Sequence, residues 1–124
     1  MDTDKISRLK VLVAEDSVPM RLVMKTYLGK LGITAQFATD GREALQKIME
    51  GQFDLVFMDV HMPEMDGTEV VAKIRETGRS IPVIAMTTGD NEAVLKKCIE
   101  YGYNNFLLKP IMKNKLFQLV EEYS

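Results

Sequence analysis

Short apolar runs alternate with amphipathic stretches along the chain, and this alternation predicts a regular succession of strands and helices. The apolar runs have strand length and are nearly continuous, which is typical of parallel strands covered on both faces. The predicted strands are 10–14, 34–38, 53–58, 81–86 and 105–108. The predicted helices lie near 18–31, 41–50, 66–77, 90–101 and 112–123. Five repeats of strand and helix predict an α/β fold, with a five-stranded parallel sheet flanked by five helices.

Polar residues and glycines mark the ends of the predicted helices. Asp40 with Glu43, and Asp66 with Glu69, have the spacing of an N-cap residue and the carboxylate at the third helical position. Four glycines follow helices, where a left-handed residue is often needed. They are Gly32, Gly51, Gly78 and Gly102.

Polar side chains follow four of the five predicted strands. Glu15 and Asp16 follow the first strand, Asp59 the third, Thr87 the fourth and Lys109 the fifth. Ligands of parallel sheets bind beyond the carboxyl ends of the strands, so these groups are expected to share one cleft. Three carboxylates, an ammonium and a hydroxyl suit a divalent cation and a phosphoryl group, with Asp59 as the acceptor.

Length, charge and cysteine content limit the remaining possibilities. The 124 residues are the size of one ordinary domain, which we expect to cover 1–124. A net charge of −2 gives no electrostatic reason to expect nucleic acid or an anionic membrane as a partner. Cys98 has no second cysteine to pair with, and no signal-peptide or membrane-spanning run is visible, so a reducing cytoplasm is expected. The Met1 start and the stop after the last helix favour a protein that acts alone.

The ordered set of motifs resembles the receiver domain of a two-component response regulator. The set comprises the acidic pair, Asp59, the segment 62–67 (MPEMDG), Thr87 and the Lys109-Pro110 pair. The resemblance covers essentially the whole chain. It fits a single-domain, chemotaxis-regulator-like protein as well as the receiver of a hybrid kinase. It implies a flavodoxin-like, doubly wound sheet with strand order 2-1-3-4-5, which is the order of a chemotaxis receiver.

The resemblance also implies a chemistry. Asp59 would accept a phosphoryl group from a phosphohistidine on a histidine kinase or phosphotransfer protein, and the domain would later hydrolyse its own acyl phosphate. Mg²⁺, with Mn²⁺ as a substitute, would be held by Glu15, Asp16, Asp59 and the main-chain carbonyl of His61. The domain would thus catalyse only its own phosphorylation and dephosphorylation, and would not be an enzyme in the conventional sense.

The resemblance implies that three further residues bind the phosphoryl group or take part in the conformational change that follows its binding. Lys109 would pair with Asp59 and then with the phosphoryl group, aimed by a cis bond to Pro110. Thr87 would donate its hydroxyl to a phosphoryl oxygen. Phe106 stands at the switch position, and because it lacks a hydroxyl we expect an inward bias of its ring.

Other residues are expected near the cleft. His61, Thr88 and Gly89 would lie at its mouth and modulate access or phosphoryl lifetime. Pro19 and Leu22 fall off the inward stripe of the first predicted helix and are expected to dock the phosphoryl donor. That stripe comprises Met20, Val23, Met24, Tyr27, Leu28 and Leu31.

The output partner is expected on the face made by the fourth predicted helix, the fifth strand and the fifth predicted helix. Its surface would mix basic and aromatic side chains, as interfaces often do. The expected surface residues are Lys96, Lys97, Tyr101, Tyr103, Lys113 and Phe117.

Three other functions compete with this interpretation. A phosphatase with an Asp nucleophile, of the haloacid-dehalogenase type, would need D-x-D after the first strand. A flavin carrier of the same fold would need a phosphate loop where Glu15 and Asp16 stand. A receiver-like module that is never phosphorylated would not require Asp59, Thr87 and Lys109 together.

Overall fold

The computed structural model describes residues 3–89 and 92–124, and its centre is a five-stranded parallel sheet. The sheet has the order β2-β1-β3-β4-β5, which confirms the order implied by the resemblance. The strands are β1 Val11–Ala14, β2 Gln36–Ala38, β3 Leu55–Asp59, β4 Val83–Thr87 and β5 Asn105–Leu108. The register sets Ala14 beside Met58 and Asp59 beside Met86, so the carboxyl ends of the central strands lie level.

Six helices flank the sheet among residues 3–89 and 92–124, one more than predicted. They are α1 Thr3–Ser7, α2 Val18–Lys30, α3 Gly41–Glu50, α4 Gly67–Glu76, α5 Glu92–Tyr101 and α6 Lys113–Glu122. The additional helix, α1, buries Ile6 in the core. Its five residues are too few to show a helical repeat, which is why the apolar pattern did not reveal it. The predicted start of α5, at residue 90, lies outside the described residues.

Two apolar clusters cover the two faces of the sheet. The first cluster joins α3, α4 and α5 to one face, and the second joins α1, α2 and α6 to the other. Neighbouring residues of each strand alternate between the clusters, as Leu12 and Val13 do. Of the predicted stripe on α2, Met24 and Leu28 are buried and the rest are half-buried against the second cluster. Both faces of the sheet are therefore covered, as the continuous apolar strands predicted.

The helix ends agree with the sequence patterns at most positions. At α3, the Glu43 N–H donates to Asp40 Oδ1 at 2.8 Å, and Glu43 Oε1 accepts from the Thr39 N–H at 2.6 Å. Asp66 is the N-cap residue of α4, as its spacing predicted, but its side chain makes no capping bond. The first N–H of α4, that of Gly67, instead donates to the Val60 carbonyl at 2.9 Å.

The expectation for the glycines that follow helices holds at three positions and fails at one. Gly32, Gly78 and Gly102 have φ of 78°, 84° and 112°, so the left-handed conformation expected there is confirmed. Gly51 is extended, with φ of −112°, and the expectation is wrong at that position.

Candidate functional site

The Asp59 carboxylate lies at the carboxyl end of β3, in the middle of the sheet. The residue is only 6% exposed. Its Oδ2 atom lies 3.0 Å from the Lys109 ammonium nitrogen, and its Oδ1 atom accepts the His61 main-chain N–H at 3.2 Å. Both oxygens are therefore held, and one edge of the carboxylate faces the cleft beside β1.

The Glu15 carboxylate is even more deeply buried, at 1% exposure. Its Oε2 atom lies 2.9 Å from the Lys109 ammonium, and its Oε1 atom accepts the Ser17 N–H at 3.1 Å. Burial raises the pKa of the Glu15 carboxyl above its ordinary value of 4.5, and the charge of Asp59 adds to this. The bonds from Lys109 and Ser17 oppose the rise without cancelling it.

Asp16 completes an acidic cluster with these two residues. One carboxylate oxygen from each of Glu15, Asp16 and Asp59 lies within 4.8 Å of the others. Asp16 is exposed, whereas Glu15 and Asp59 are buried. Carboxylate oxygens are the ligands that a small, hard divalent cation prefers, so the donor set fits Mg²⁺ or Mn²⁺.

Lys109 is the counter-ion of the two buried acids. Burial alone would lower the pKa of its ammonium, but its bonds to Glu15 and Asp59 and their negative charges outweigh burial and raise the pKa. The peptide bond between Lys109 and Pro110 is cis, as the resemblance implied. The Lys109 main-chain N–H donates to the Thr87 carbonyl at 2.9 Å, which ties the end of β5 to the end of β4.

Thr87 and the residues after it lie at the end of β4. Thr87 is 5% exposed, and its hydroxyl oxygen accepts the Gly89 N–H at 3.0 Å. Thr88 is exposed and Gly89 is half-buried. His61, at the end of β3, is also exposed. Of the three residues expected at the mouth of the cleft, two are therefore exposed and the third, Gly89, is partly covered.

The segment between β3 and α4 is held by close backbone contacts. Glu64 has the left-handed φ of 69°, which few residues other than glycine adopt. The N-terminus of α3 touches this segment, since a Cβ atom at Gly41 would overlap the Met65 carbonyl. The backbone that follows Asp59 is therefore fixed by α3 as well as by its own sheet.

Sequence reasoning missed two residues that shape the β1–α2 connection. The Arg21 guanidinium donates to the Glu15 main-chain carbonyl at 2.9 Å. The Ser17 hydroxyl accepts the Met20 N–H at 3.4 Å and caps α2. Ser17 before a helix is a recognisable N-cap signal, but no sequence signal marks Arg21 as a partner of a backbone carbonyl.

The residues expected to dock a donor lie on the exposed side of α2. Pro19 is exposed, and Leu22 is 62% exposed. Val18 beside them is 66% exposed. Because α2 begins directly after the acidic pair, this apolar surface adjoins the cleft.

The face made by α5, β5 and α6, called the output face, differs from the expectation at Tyr103 and in part at Phe117. Tyr103 is buried at 2% exposure, so its predicted place on the surface is wrong. It is buried because its ring packs into the first apolar cluster. Tyr101 and three lysines are exposed as expected, whereas Phe117 is half-buried. The lysines are Lys96, Lys97 and Lys113.

An apolar groove of about 600 Å³ runs along β5 and α6 on this face. Phe106, Leu108 and Met112 are among its lining residues. Leu108 and Met112 are 39% and 58% exposed. Phe106 is half-buried and packs partly against the first apolar cluster, so its ring touches both the core and the groove.

A doubly wound sheet with an acidic cluster and a lysine at its carboxyl edge is the architecture of receiver domains. The family model of the response regulator receiver domain matches residues 11–121. The chain belongs to this family, and hence to the proteins of two-component signal transduction. No helix among residues 3–89 and 92–124 has the length and apolar character needed to cross a membrane.

Its relatives include both kinases and regulators. The sensor protein EvgS of Escherichia coli K12 is 37% identical over 90% of this chain and 10% of its own length. Two-component response regulator 24 of Arabidopsis thaliana is 33% identical over 94% of this chain and 84% of its own length. The chain spans about a tenth of the sensor kinases that it matches.

Two solved receiver domains are similar in structure. The receiver of sensor histidine kinase PA1611 from Pseudomonas aeruginosa, with magnesium in its active-site cleft, has a TM-score of 0.85 and 27% identity. The coverage is 93% of this chain and 96% of that one. The receiver of Ssk1 from Saccharomyces cerevisiae, crystallised with the phosphotransfer protein Ypd1, has a TM-score of 0.87 and 27% identity. The coverage is 93% and 88%.

Proposed function

We propose that residues 1–124 form a single receiver domain that acts as a phosphorylation-activated switch, with Asp59 as the phosphoryl acceptor. One observation carries the proposal. The Asp59 carboxylate is buried at a strand end between a lysine at 3.0 Å and two further acids. A carboxylate so placed is a nucleophile of the kind that forms aspartyl phosphates. The buried, unpaired state of Cys98 fits the cytoplasmic location expected from the sequence.

The proposed metal site uses oxygen ligands around Asp59. Asp16 and Asp59 would bind Mg²⁺ or Mn²⁺ directly, together with the His61 main-chain carbonyl. Glu15, whose buried carboxylate bonds Lys109 and the Ser17 N–H, would act mainly through water. A bound divalent cation would screen the repulsion between the Asp59 carboxylate and an incoming phosphoryl group. The magnesium in the PA1611 receiver supports this assignment.

The proposed transfer step moves one phosphoryl group between two nucleophiles. A carboxylate oxygen of Asp59 bonds to phosphorus while the bond from phosphorus to the donor imidazole nitrogen breaks, and its electron pair stays on that nitrogen. The Lys109 ammonium and the Thr87 hydroxyl then bind phosphoryl oxygens. In the later hydrolysis, a water oxygen bonds to phosphorus while the bond from phosphorus to the Asp59 oxygen breaks, which restores the carboxylate and releases inorganic phosphate with the protons of the water. Exposed His61 and Thr88, together with half-buried Gly89, would modulate the access of that water.

The proposed phosphoryl donor is a phosphohistidine on a kinase or phosphotransfer protein that docks on α2. Pro19 and Leu22, with Val18, form an apolar surface next to the cleft. The crystallised complex of the Ssk1 receiver with Ypd1 supports a partner of this class. Leu22→Glu should slow transfer from the phosphohistidine donor about tenfold while leaving labelling by acetyl phosphate unchanged. Ser80→Glu, which adds the same charge at an exposed site beyond α4, is the control. Equal losses with both donors would contradict a docking role.

The proposed output of the switch is a change in the output face. Lys109 links Asp59 to the Thr87 backbone, and Phe106 lies between the core and the groove. When charge on Asp59 increases, the Lys109 ammonium and Thr87 hydroxyl are the groups positioned to respond. A change from 1:99 to 99:1 would require about 5.5 kcal/mol of differential binding. We therefore expect a partial change that partner binding completes.

Phosphotransfer from a purified phosphotransfer protein carrying radiolabelled phosphohistidine tests the proposed function. Wild-type protein should gain label with Mg²⁺ and none with EDTA. Asp59→Asn should gain none, whereas Asp54→Asn, at the opposite end of the third strand, should behave as wild type. Label on the Asp59→Asn protein would overturn the assignment, as would a wild-type protein that accepts label neither from phosphohistidine nor from acetyl phosphate.

A further inference from the structure

Tyr103 carries a buried hydroxyl that the proposed switch does not yet use. It stands between α5 and β5, is 2% exposed and packs in the first apolar cluster. Its hydroxyl oxygen is buried and has no hydrogen-bond partner among residues 3–89 and 92–124. Buried hydroxyls in folded proteins are nearly always paired, so an unpaired one requires an explanation.

The hydroxyl lies against the backbone that carries Asp59. A Cβ atom added at Gly67, the first residue of α4, would overlap the Asp59 carbonyl oxygen and would lie 2.5 Å from the Tyr103 hydroxyl. Burial raises the pKa of the Tyr103 phenol, and the charges of Cys98, Asp59 and Asp66 add to the rise. The hydroxyl and the Asp59 carbonyl thus both lie beside Gly67, at the place where a larger residue would carry its Cβ.

The backbone of Tyr103 is fastened to elements other than β3. The Arg75 guanidinium on α4 donates to the Gly102 carbonyl at 3.1 and 2.9 Å and to Asn104 Oδ1 at 2.8 Å. Asn104 Oδ1 also accepts the Val83 N–H of β4 at 2.8 Å. The Tyr103 N–H donates to the Cys98 carbonyl at 3.1 Å. These bonds hold the backbone around Tyr103, and the ring packs in the first apolar cluster, so a small displacement of the backbone after Asp59 would change the surroundings of the hydroxyl.

We propose that Tyr103 is a positioning residue for the phosphorylated state, its hydroxyl donating to the Asp59 main-chain carbonyl once the acceptor is loaded. An unpaired buried hydroxyl disfavours the resting arrangement, and a new bond favours the loaded one. A ligand shifts an equilibrium between two states only by binding one of them more tightly. The new hydrogen bond would contribute to this difference in affinity. This inference rests on the proposed function. It is separate from the path through Thr87 and Phe106, because it reaches the acceptor from the side of α4 and α5.

Beryllofluoride with Mg²⁺, a mimic of the bound phosphoryl group, tests the inference in Tyr103→Phe. The variant loses only the hydroxyl. Its resting form should unfold at an equal or higher urea concentration than wild type, whereas its affinity for beryllofluoride should fall about two- to tenfold, the effect of one net hydrogen bond. Tyr27→Phe, which removes a hydroxyl from a half-buried tyrosine on α2, is the control and should change neither quantity.

A positioning role predicts that Tyr103→Phe keeps or raises the stability of the resting form and lowers the affinity for beryllofluoride. A merely structural role does not predict this combination. Unchanged beryllofluoride affinity in Tyr103→Phe would overturn the inference. A lower resting stability would also overturn it, because the hydroxyl would then already have a partner, such as a buried water. Wild-type protein that fails to bind beryllofluoride would overturn the proposed function and this inference with it.

Discussion

Replacing Lys109 by alanine should reveal how strongly its single ammonium stabilises the cleft. In the wild-type protein, that ammonium lies 2.9 Å from Glu15 and 3.0 Å from Asp59. In Lys109→Ala, two carboxylates that are 1% and 6% exposed would face each other without a counter-ion. We therefore expect the isolated, metal-free domain to lose stability at neutral pH.

The burial of Lys109 and of the two carboxylates that it pairs with determines how much stability Lys109→Ala loses. Breaking a buried ion pair by removing one partner costs about 3–5 kcal/mol. The Lys109 side chain is 16% exposed, so water can partly replace it, and the loss should lie at or just below the low end of that range. We expect a decrease in the free energy of unfolding of about 2–3 kcal/mol at pH 7.

The loss should depend on pH in a defined direction. The pKa of Glu15 is raised above 4.5 by burial, and removing Lys109 removes a bond that opposes the rise. The native variant then binds more protons than the unfolded chain between pH 4.5 and the raised pKa, so its stability falls as pH rises through that window. The deficit should be largest at pH 7 and shrink as pH is lowered toward 4.5.

Urea unfolding with EDTA measures these quantities in Lys109→Ala, Glu15→Gln and the double variant. Glu15→Gln should remove at least half of the Lys109→Ala deficit at pH 7, since one of the two unpaired charges is gone. Lys25→Ala, an exposed lysine on α2, should change stability by less than about 0.5 kcal/mol. An equal Lys109→Ala deficit with glutamate or glutamine at position 15, at every pH, would refute the electrostatic reasoning.

Three further predictions concern the metal, the backbone and the transmission of the signal. Asp16→Asn should abolish most Mg²⁺ binding in a calorimetric titration, and an unchanged titration would mean that the cation binds elsewhere. Gly67→Ala should lower the free energy of unfolding by more than about 3 kcal/mol in urea, because a Cβ there overlaps backbone. Gly29→Ala, where nothing lies within 4 Å of the added atom, should instead raise it by about 0.5–1 kcal/mol; equal effects would contradict this account of Gly67. Thr87→Ala should keep acetyl phosphate labelling but weaken the change in hydrogen exchange of residues 92–123 on beryllofluoride binding, and an undiminished change would exclude Thr87 from the path.

The strand pattern was sufficient to predict the fold and to bring the polar groups of the cleft together. Continuous apolar runs identify parallel strands, and parallel strands carry the residues after them to one edge. That reasoning places Glu15, Asp16, Asp59, Thr87 and Lys109 at the same edge, and the structure has them there. Strand order came from the family resemblance, because spacing alone does not determine which strands are neighbours.

Contacts between residues that are far apart in the chain could not be predicted from the sequence. Tyr103 was expected on the surface of the output face, yet its ring is buried in the first apolar cluster and its hydroxyl lies where a Cβ at position 67 would stand. Arg21 bonds a backbone carbonyl, and any exposed helix arginine has the same local sequence signal. Asp66 stands at the N-cap of α4, as its spacing predicted, but its side chain makes no capping bond, and the spacing alone does not distinguish the two cases.

Mapping the phosphoryl site in the intact protein tests the central claim most directly. The protein is treated with acetyl phosphate and Mg²⁺, reduced with borohydride to trap the acyl phosphate, digested and sequenced by mass spectrometry. We expect the reduced residue at Asp59 and at no other position, and no trapped product from Asp59→Asn. Trapped product at another residue, or an undiminished yield from Asp59→Asn, would contradict the claim that Asp59 is the phosphoryl acceptor.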